Sequence, residues 1–250
     1  MAGDDGILNE TLGLIDAAQQ RGLTLRLLGG AGIRCHCNKY SDFYRALGRV
    51  IHDIDIITYG KQKNAINSFL MEQGFKKRPL TLTAAYSYRE IFYKGEFVFD
   101  IFFDKLQMNH TIDFRNRLEM DFPTIPLAEL LLQKVQIVQL TENDLKDIVV
   151  LLLEHELGND DNDKINVERI SSILADDWGF YYTVITNLRK VKELAPKVVE
   201  MPEEGWRVVY DKIDRLIEAI EGYPKTMGWK LRAKIGTHKK WYKEVERFEV

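Results

Sequence analysis

The sequence predicts an α+β protein in which a mixed sheet flanked by helices is followed by an all-helical C-terminal domain. Three observations point there. Apolar runs of strand length recur through the first hundred or so residues, at 23–28, 52–57, 80–88, 90–93 and 96–103. Stretches of helical period at 9–21 and 61–73 are interleaved with the early runs. From Pro126 onward the helical period takes over, with Pro196, Pro202 and Pro224 as punctuation. The change of pattern places the domains at 1–122 and 123–250.

Residues 9–21 carry Leu12, Ile15 and Ala18 at helical spacing, and Gly22 stops the helix, which should pack beside the first strand. That strand, 23–28, ends in Gly29 and Gly30, where the backbone can approach a ligand that a side chain would hold off. A helix beginning there would aim its free N–H groups at a phosphate. Residues two apart on a strand share a face, so in 52–57 Asp53 and Asp55 point one way, and Ile54 and Ile56 the other. The helix at 61–73 buries Ile66, Phe69 and Leu70 and closes at Gly74.

Lys94-Gly95 should turn strand 90–93 into strand 96–103. There Val98, Asp100 and Phe102 share one face, and Phe97, Phe99 and Ile101 the other. An acid inside so apolar a strand needs a partner, because burying an unpaired carboxylate costs on the order of several kcal/mol. Asp104 shares the face but stands at the strand's exit, where a solvated acid needs no explanation, so Asp100 is preferred. Segment 109–122 has no clear period, and no chemistry is placed there.

Helices at 126–140 and 142–155 follow, the first opened by Pro126 and the second burying Leu145, Ile148, Val149 and Leu152. The acidic stretch 155–164 reads as a solvent-exposed connection. It lacks the Gly and closing Glu of a calcium loop, and His155-Glu156 lacks the second His of a zinc-protease helix. Further helical segments are expected at 170–174, 178–194 and 206–220. The end of the chain mixes basic residues with Trp229, Trp241 and Tyr242. With Glu244, Glu246 and Glu249 interspersed, it reads as an amphipathic segment docking its aromatics on the helical domain rather than as a nucleic-acid grip.

A chain of 250 residues at 45% hydrophobic can bury a sizeable core, and a formal net charge of -3 argues against a generally cationic nucleic-acid binder. No apolar run approaches the ~20 residues that span a bilayer. The opening MAGDDGILNE has acids where a signal peptide needs a basic start, so the expected location is cytoplasmic, with no membrane partner. Cys35 and Cys37 are too close for an easy disulfide. With His36 between them they still fall short of the about four ligands of a structural zinc site, and they read as ordinary helix residues.

Two carboxylates side by side on a strand repel unless a cation or a proton intervenes. Hard oxygen ligands on a rigid element suit Mg²⁺ and its phosphate-bearing substrates. Gly29-Gly30 after a strand, a helix, then Asp53-Ile54-Asp55 on the next strand resembles the nucleotidyltransferase fold of the DNA polymerase beta superfamily. Within it, Arg49 followed by Asp53-Ile54-Asp55 is similar to the R-x-T-x-D-I-D form of the minimal and abortive-infection-toxin-like branches. The resemblance spans about residues 25–153. It implies that Asp53, Asp55 and Asp100 hold two Mg²⁺, with Asp100 as the third carboxylate, acting on the acceptor hydroxyl. It also implies nucleotide contacts from Gly29, Gly30 and Arg49, and from Lys134 on the first helix after the sheet, with Lys146-Asp147 on the second.

Two features depart from the family. Ala31 and Gly32 stand where a Ser or Thr usually contacts the triphosphate, and the run from Gly30 to Asp53 is longer than usual, which suggests an elongated helix or an inserted turn near 38–41. The implied activity is transfer of a nucleoside monophosphate from a nucleoside triphosphate such as ATP to an acceptor hydroxyl by two-metal in-line displacement. The acceptor stays open among a small molecule, an RNA and a protein. The alternative is a nucleotide-binding or interaction protein of the same fold with degenerate catalysis, which Ala31 favours. A plain structural α/β domain requires Gly-Gly, Asp-x-Asp and the isolated Asp100 to coincide by chance.

Overall fold

The computed structural model describes residues 2–51, 53–79, 89–95 and 97–245, with side chains from residue 6 on. The strand expected at 80–88 lies outside the described residues. The first helix, α1, runs Ala2–Gln20, starting earlier than its apolar spacing indicates. Gly22 ends it at φ +72°, and the Leu23 N–H donates back to the Ala18 carbonyl at 2.9 Å, the closure a left-handed residue permits.

Strand β1 (Arg26–Leu27) leads into α2 (Gly29–His36), and a turn separates α2 from the short α3 (Ser41–Ala46). The long interval before the aspartates is therefore an inserted turn and a second helix rather than one elongated helix. Then come β2 (Ile54–Thr58), α4 (Lys63–Glu72), β3 (Lys76–Lys77), β4 (Arg89–Lys94) and β5 (Phe97–Phe103). Among the described residues these strands form a five-stranded sheet in the order β1-β2-β5-β4-β3. β2 and β5 run parallel and the other neighbours antiparallel, so the sheet is mixed. The short strands β6 (Lys105–Gln107) and β7 (Thr111–Asp113) make a separate ribbon, the second of them within the stretch whose sequence has no period.

The chain divides into two compact units. The first comprises Met1–Cys35, Val50–Gln107 and Ile112–Pro126. Its core gathers Leu14, Ile15 and Ala18 of α1, Ile66, Phe69 and Leu70 of α4, Ile54 and Ile56 of β2, and Phe99, Ile101 and Phe103 of β5. Alternation then turns Asp55 and Asp100 to the opposite face of the sheet.

The second unit comprises His36–Arg49, Met108–Thr111 and Leu127–Val250. It is built from α5 (Leu127–Val135), α6 (Glu142–Glu154), α7 (Val167–Leu174), α8 (Trp178–Leu194), α9 (Glu203–Gly222) and α10 (Met227–Ile235). Two parallel strands, β8 (Glu156–Gly158) and β9 (Lys164–Asn166), pair between α6 and α7. Thr141 and Asp144 close a capping box at the start of α6, which satisfies two of the N–H groups a helix start leaves orphaned. Trp229 meets Tyr181 edge-on and Trp241 meets Tyr182 edge-on, both on α8, so the aromatic end of the chain docks within this unit. No helix among the described residues is long and apolar enough to cross a membrane.

Candidate functional site

β2 and β5 lie side by side in a register that sets Asp55 directly across from Asp100. Asp53 stands just before β2 and on the same side as Asp55. The three carboxylates converge, one oxygen of each lying within 4.8 Å of the other two. Asp53 is exposed, Asp55 half-buried and Asp100 buried. At that spacing each pair of charges repels by about 3 kcal/mol in a medium of intermediate dielectric. An exposed ion pair returns only about 1 kcal/mol at best, so distant surface cations do not offset the repulsion. A cation in direct contact would offset it, and three hard oxygens suit Mg²⁺.

One such cation is already part of the chain. The Arg89 guanidinium donates from Nε to Asp100 Oδ1 at 3.0 Å and from Nη2 to Asp100 Oδ2 at 2.5 Å, a two-pronged pair. Ile91 stands opposite Asp100 on β4, so Arg89, two residues along, reaches it diagonally on the same face. Reading the sequence as strands misses Arg89, which falls between the runs at 80–88 and 90–93. The observed register places it: Lys94 is the last residue of β4 and pairs with Phe97, rather than turning as expected, and that pairing fixes every later partner.

Gly29 opens α2 at φ +63°, and a Cβ there would meet Asp55 Oδ2 at 2.5 Å. Both the backbone conformation and the approach of the carboxylate require glycine. The Leu28 N–H donates to the Asp55 carbonyl at 2.9 Å, so the turn and the aspartate strand are tied at the backbone as well. Gly30 follows within α2, and Ala31 is buried in the core. Asp104, the rejected candidate, has a different task. Its carboxylate accepts from the Gly60 N–H at 2.9 Å, and its own N–H donates to the Thr58 carbonyl at 2.9 Å, which makes it a turn residue.

Arg49 and Lys134 belong to the second unit and meet on Asp147. Arg49 Nε lies 3.1 Å from Asp147 Oδ1 and Lys134 Nζ 2.7 Å from Asp147 Oδ2, while the Tyr44 hydroxyl donates to Oδ1 at 2.5 Å. Asp147 is fully buried. Burial pushes its pKa up, but the charges of Lys134 and Arg49 outweigh that and hold it below the usual carboxylate range. Lys134 is likewise opposed by burial and carried above its ordinary value by Asp147 and Asp144.

Cys35, His36 and Cys37 do not act together. Burial pushes the Cys35 thiol up to about 11, away from the thiolate that binds metal. His36 instead meets His155, and the stretch 155–164, expected to be exposed throughout, has His155 buried at its head.

No protein-family model matches the chain, and no curated protein sequence matches it. Among solved structures, the chain is similar to the solution structure of the antibiotic-resistance factor ANT(2'')-Ia, at 12% identity and a TM-score of 0.39, over 94% of this chain and 97% of that one. It is also similar to the crystal structure of ANT(2'')-Ia in complex with adenylyl-2''-tobramycin, at 14% identity and a TM-score of 0.33, over 86% of this chain and 96% of that one.

Proposed function

We propose that the chain is a metal-dependent nucleotidyltransferase that moves a nucleoside monophosphate from a nucleoside triphosphate to an acceptor hydroxyl. The convergence of Asp53, Asp55 and Asp100 on the sheet face turned away from the core carries this reading. A divalent cation held there would neutralise phosphate charge and lower the pKa of the acceptor hydroxyl. Asp53 and Asp55 supply hard oxygens, and Gly29-Gly30 lets the triphosphate approach the backbone. Arg89 keeps Asp100 oriented, and the Asp100 carboxylate would take the proton that the acceptor hydroxyl loses. The acceptor oxygen bonds to the α-phosphorus as the bridging P–O bond breaks and pyrophosphate departs. The protein contributes position and charge rather than a covalent intermediate. Lys134 and Arg49 stand outside this reading, because both are engaged by Asp147 and Lys134 by Asp144 as well.

Two observations favour a second reading, nucleotide binding without turnover. Ala31 offers no hydroxyl to a triphosphate, and Arg89 engages both oxygens of Asp100. One experiment separates the two. The protein is incubated with Mg²⁺ and each α-labelled nucleoside triphosphate, alone and with cell-extract fractions. Transfer predicts label in an acceptor and a loss of at least about a hundredfold in Asp53→Asn, Asp55→Asn and Asp100→Asn. Mg²⁺-dependent binding by calorimetry with no transferred label supports the second reading, and transfer that survives all three substitutions overturns the site.

A further inference from the structure

Three segments bring metal-ligating side chains together in the second unit: His36 at the end of α2 and, far along the chain, His155 just after α6 and Asp163 just before β9. One donor atom of each lies within 4.8 Å of the other two. We propose that His36, His155 and Asp163 form a binding site for a divalent transition-metal ion, Zn²⁺ in the first place, which pins these three segments to one another.

The geometry suits that ion. His155 Nδ1 stands 3.1 Å from Asp163 Oδ1. Two ligands on a tetrahedral zinc with bonds near 2.05 Å are separated by about 3.3 Å. The two imidazole rings have centroids 5.5 Å apart and planes at 83°. Two imidazoles on one tetrahedral ion have centroids roughly 5 Å apart. Two nitrogen donors and one carboxylate suit Zn²⁺ or its neighbours rather than Mg²⁺ or Ca²⁺, which take oxygen throughout. Three protein ligands leave a fourth position for water.

The framework around the cluster is fixed independently of any ion. β8 and β9 pair with Glu156 opposite Lys164, and continuing that parallel register by one residue sets His155 opposite Asp163. The His155 N–H donates to the Leu151 carbonyl at 3.1 Å, and its carbonyl accepts from the buried Lys212 ammonium at 2.9 Å. The turn after His36 is held to the end of α6 as well, because the Glu154 carboxylate accepts from the Lys39 N–H at 2.8 Å and the Tyr40 N–H at 2.9 Å. Backbone contacts thus position both histidine-bearing segments before a metal arrives, which limits the ordering that binding must impose.

The test uses tag-free, chelator-stripped full-length protein carrying Asp55→Asn, so that the carboxylate site on the sheet does not contribute. Calorimetry with Zn²⁺ alone should show one ion per chain, and Zn²⁺ should raise the melting temperature where Mg²⁺ does not. Co²⁺ should give the visible bands of a four-coordinate site without a sulfur charge-transfer band, which excludes Cys35 and Cys37 as ligands. Asp163→Asn, at an exposed carboxylate, and His36→Ala should each weaken Zn²⁺ binding at least tenfold while the metal-free protein melts as before. Binding that is absent, that survives both substitutions unchanged, or that shows the sulfur band overturns the site.

Discussion

Gly29→Ala asks the backbone for two things at once, a side chain at φ +63° and a methyl group 2.5 Å from Asp55 Oδ2. Left-handed strain alone costs about 1–2 kcal/mol, and the displaced carboxylate adds to it. The variant should melt several degrees below wild type and bind Mg²⁺-triphosphate more weakly, as thermal melts and calorimetry will report. Arg89→Ala leaves Asp100 beside two like charges. Breaking a fully buried pair costs about 3–5 kcal/mol, and the partial exposure of Arg89 reduces this to about 1–3 kcal/mol. In metal-free buffer Arg89→Ala should therefore melt early, and adding Asp100→Asn should recover much of the loss. Equal melting of wild type and Arg89→Ala would show that the pair offsets no repulsion. Asp53 and Asp55 were legible as a same-face pair because a strand's period of two depends on local sequence alone, and Asp100 stood out as a lone acid in an apolar strand. Arg89 was not, because its place beside Asp100 depends on which strands pair and in what register.

At the scale of elements, the long helices of the second unit were readable from their apolar spacing, whereas β8 and β9 were not. Each has three residues, too few for alternation to register, and the polar loop between them hides the pairing. The register that turns His155 toward Asp163 is for this reason visible only in three dimensions. The α5–α6 pair shows a different limit. Lys134 and Asp147 are ordinary surface-helix residues by pattern, yet Asp147 is fully buried between Lys134 and Arg49. Asp147→Ala strands two cations, one of them nearly buried, and should cost about 3–5 kcal/mol. Lys192→Ala removes an exposed partner of Asp214 and should cost less than about 1 kcal/mol. Urea midpoints at neutral pH compare the two, and similar shifts would mean that the buried cluster is no more than another surface pair.

For the whole molecule, the sequence could separate a sheet-bearing half from a helical one, but not the way the compact units divide the chain. Residues 36–49 and 108–111 belong with the helices. Neither piece has a composition or period that distinguishes it from its flanks, since what assigns it is packing. His110 lies in the second of them, and it couples the molecule's stability to pH. Its ring stacks on Phe180 at 4.8 Å, and Nε2 lies 2.8 Å from Thr183 Oγ1. Trp241 Nε1 donates to the same Oγ1 at 3.1 Å, so the Thr183 hydroxyl bridges the indole and the imidazole. Burial pushes the His110 pKa down to about 4, with Asp177 opposing and Lys243 assisting the shift. Burial, reinforced by the charge of His36, lowers His155 as well. A histidine of the unfolded chain titrates near 6.5, so between about pH 6.5 and 4 the unfolded state binds more protons, and stability falls as pH falls. For His110 alone the full difference is about 3 kcal/mol, reached near pH 4 and absent above about pH 7. Asp147, whose pKa is depressed, begins to lose its contribution only below its ordinary value of 3.8, so it does not enter that window. Thermal melts of wild type and His110→Gln from pH 7 to 4 should start apart, because the variant loses the ring stacking, and converge as the pH falls. Parallel curves would show that His110 takes up protons equally in the folded and unfolded chains, so that burial does not lower its pKa.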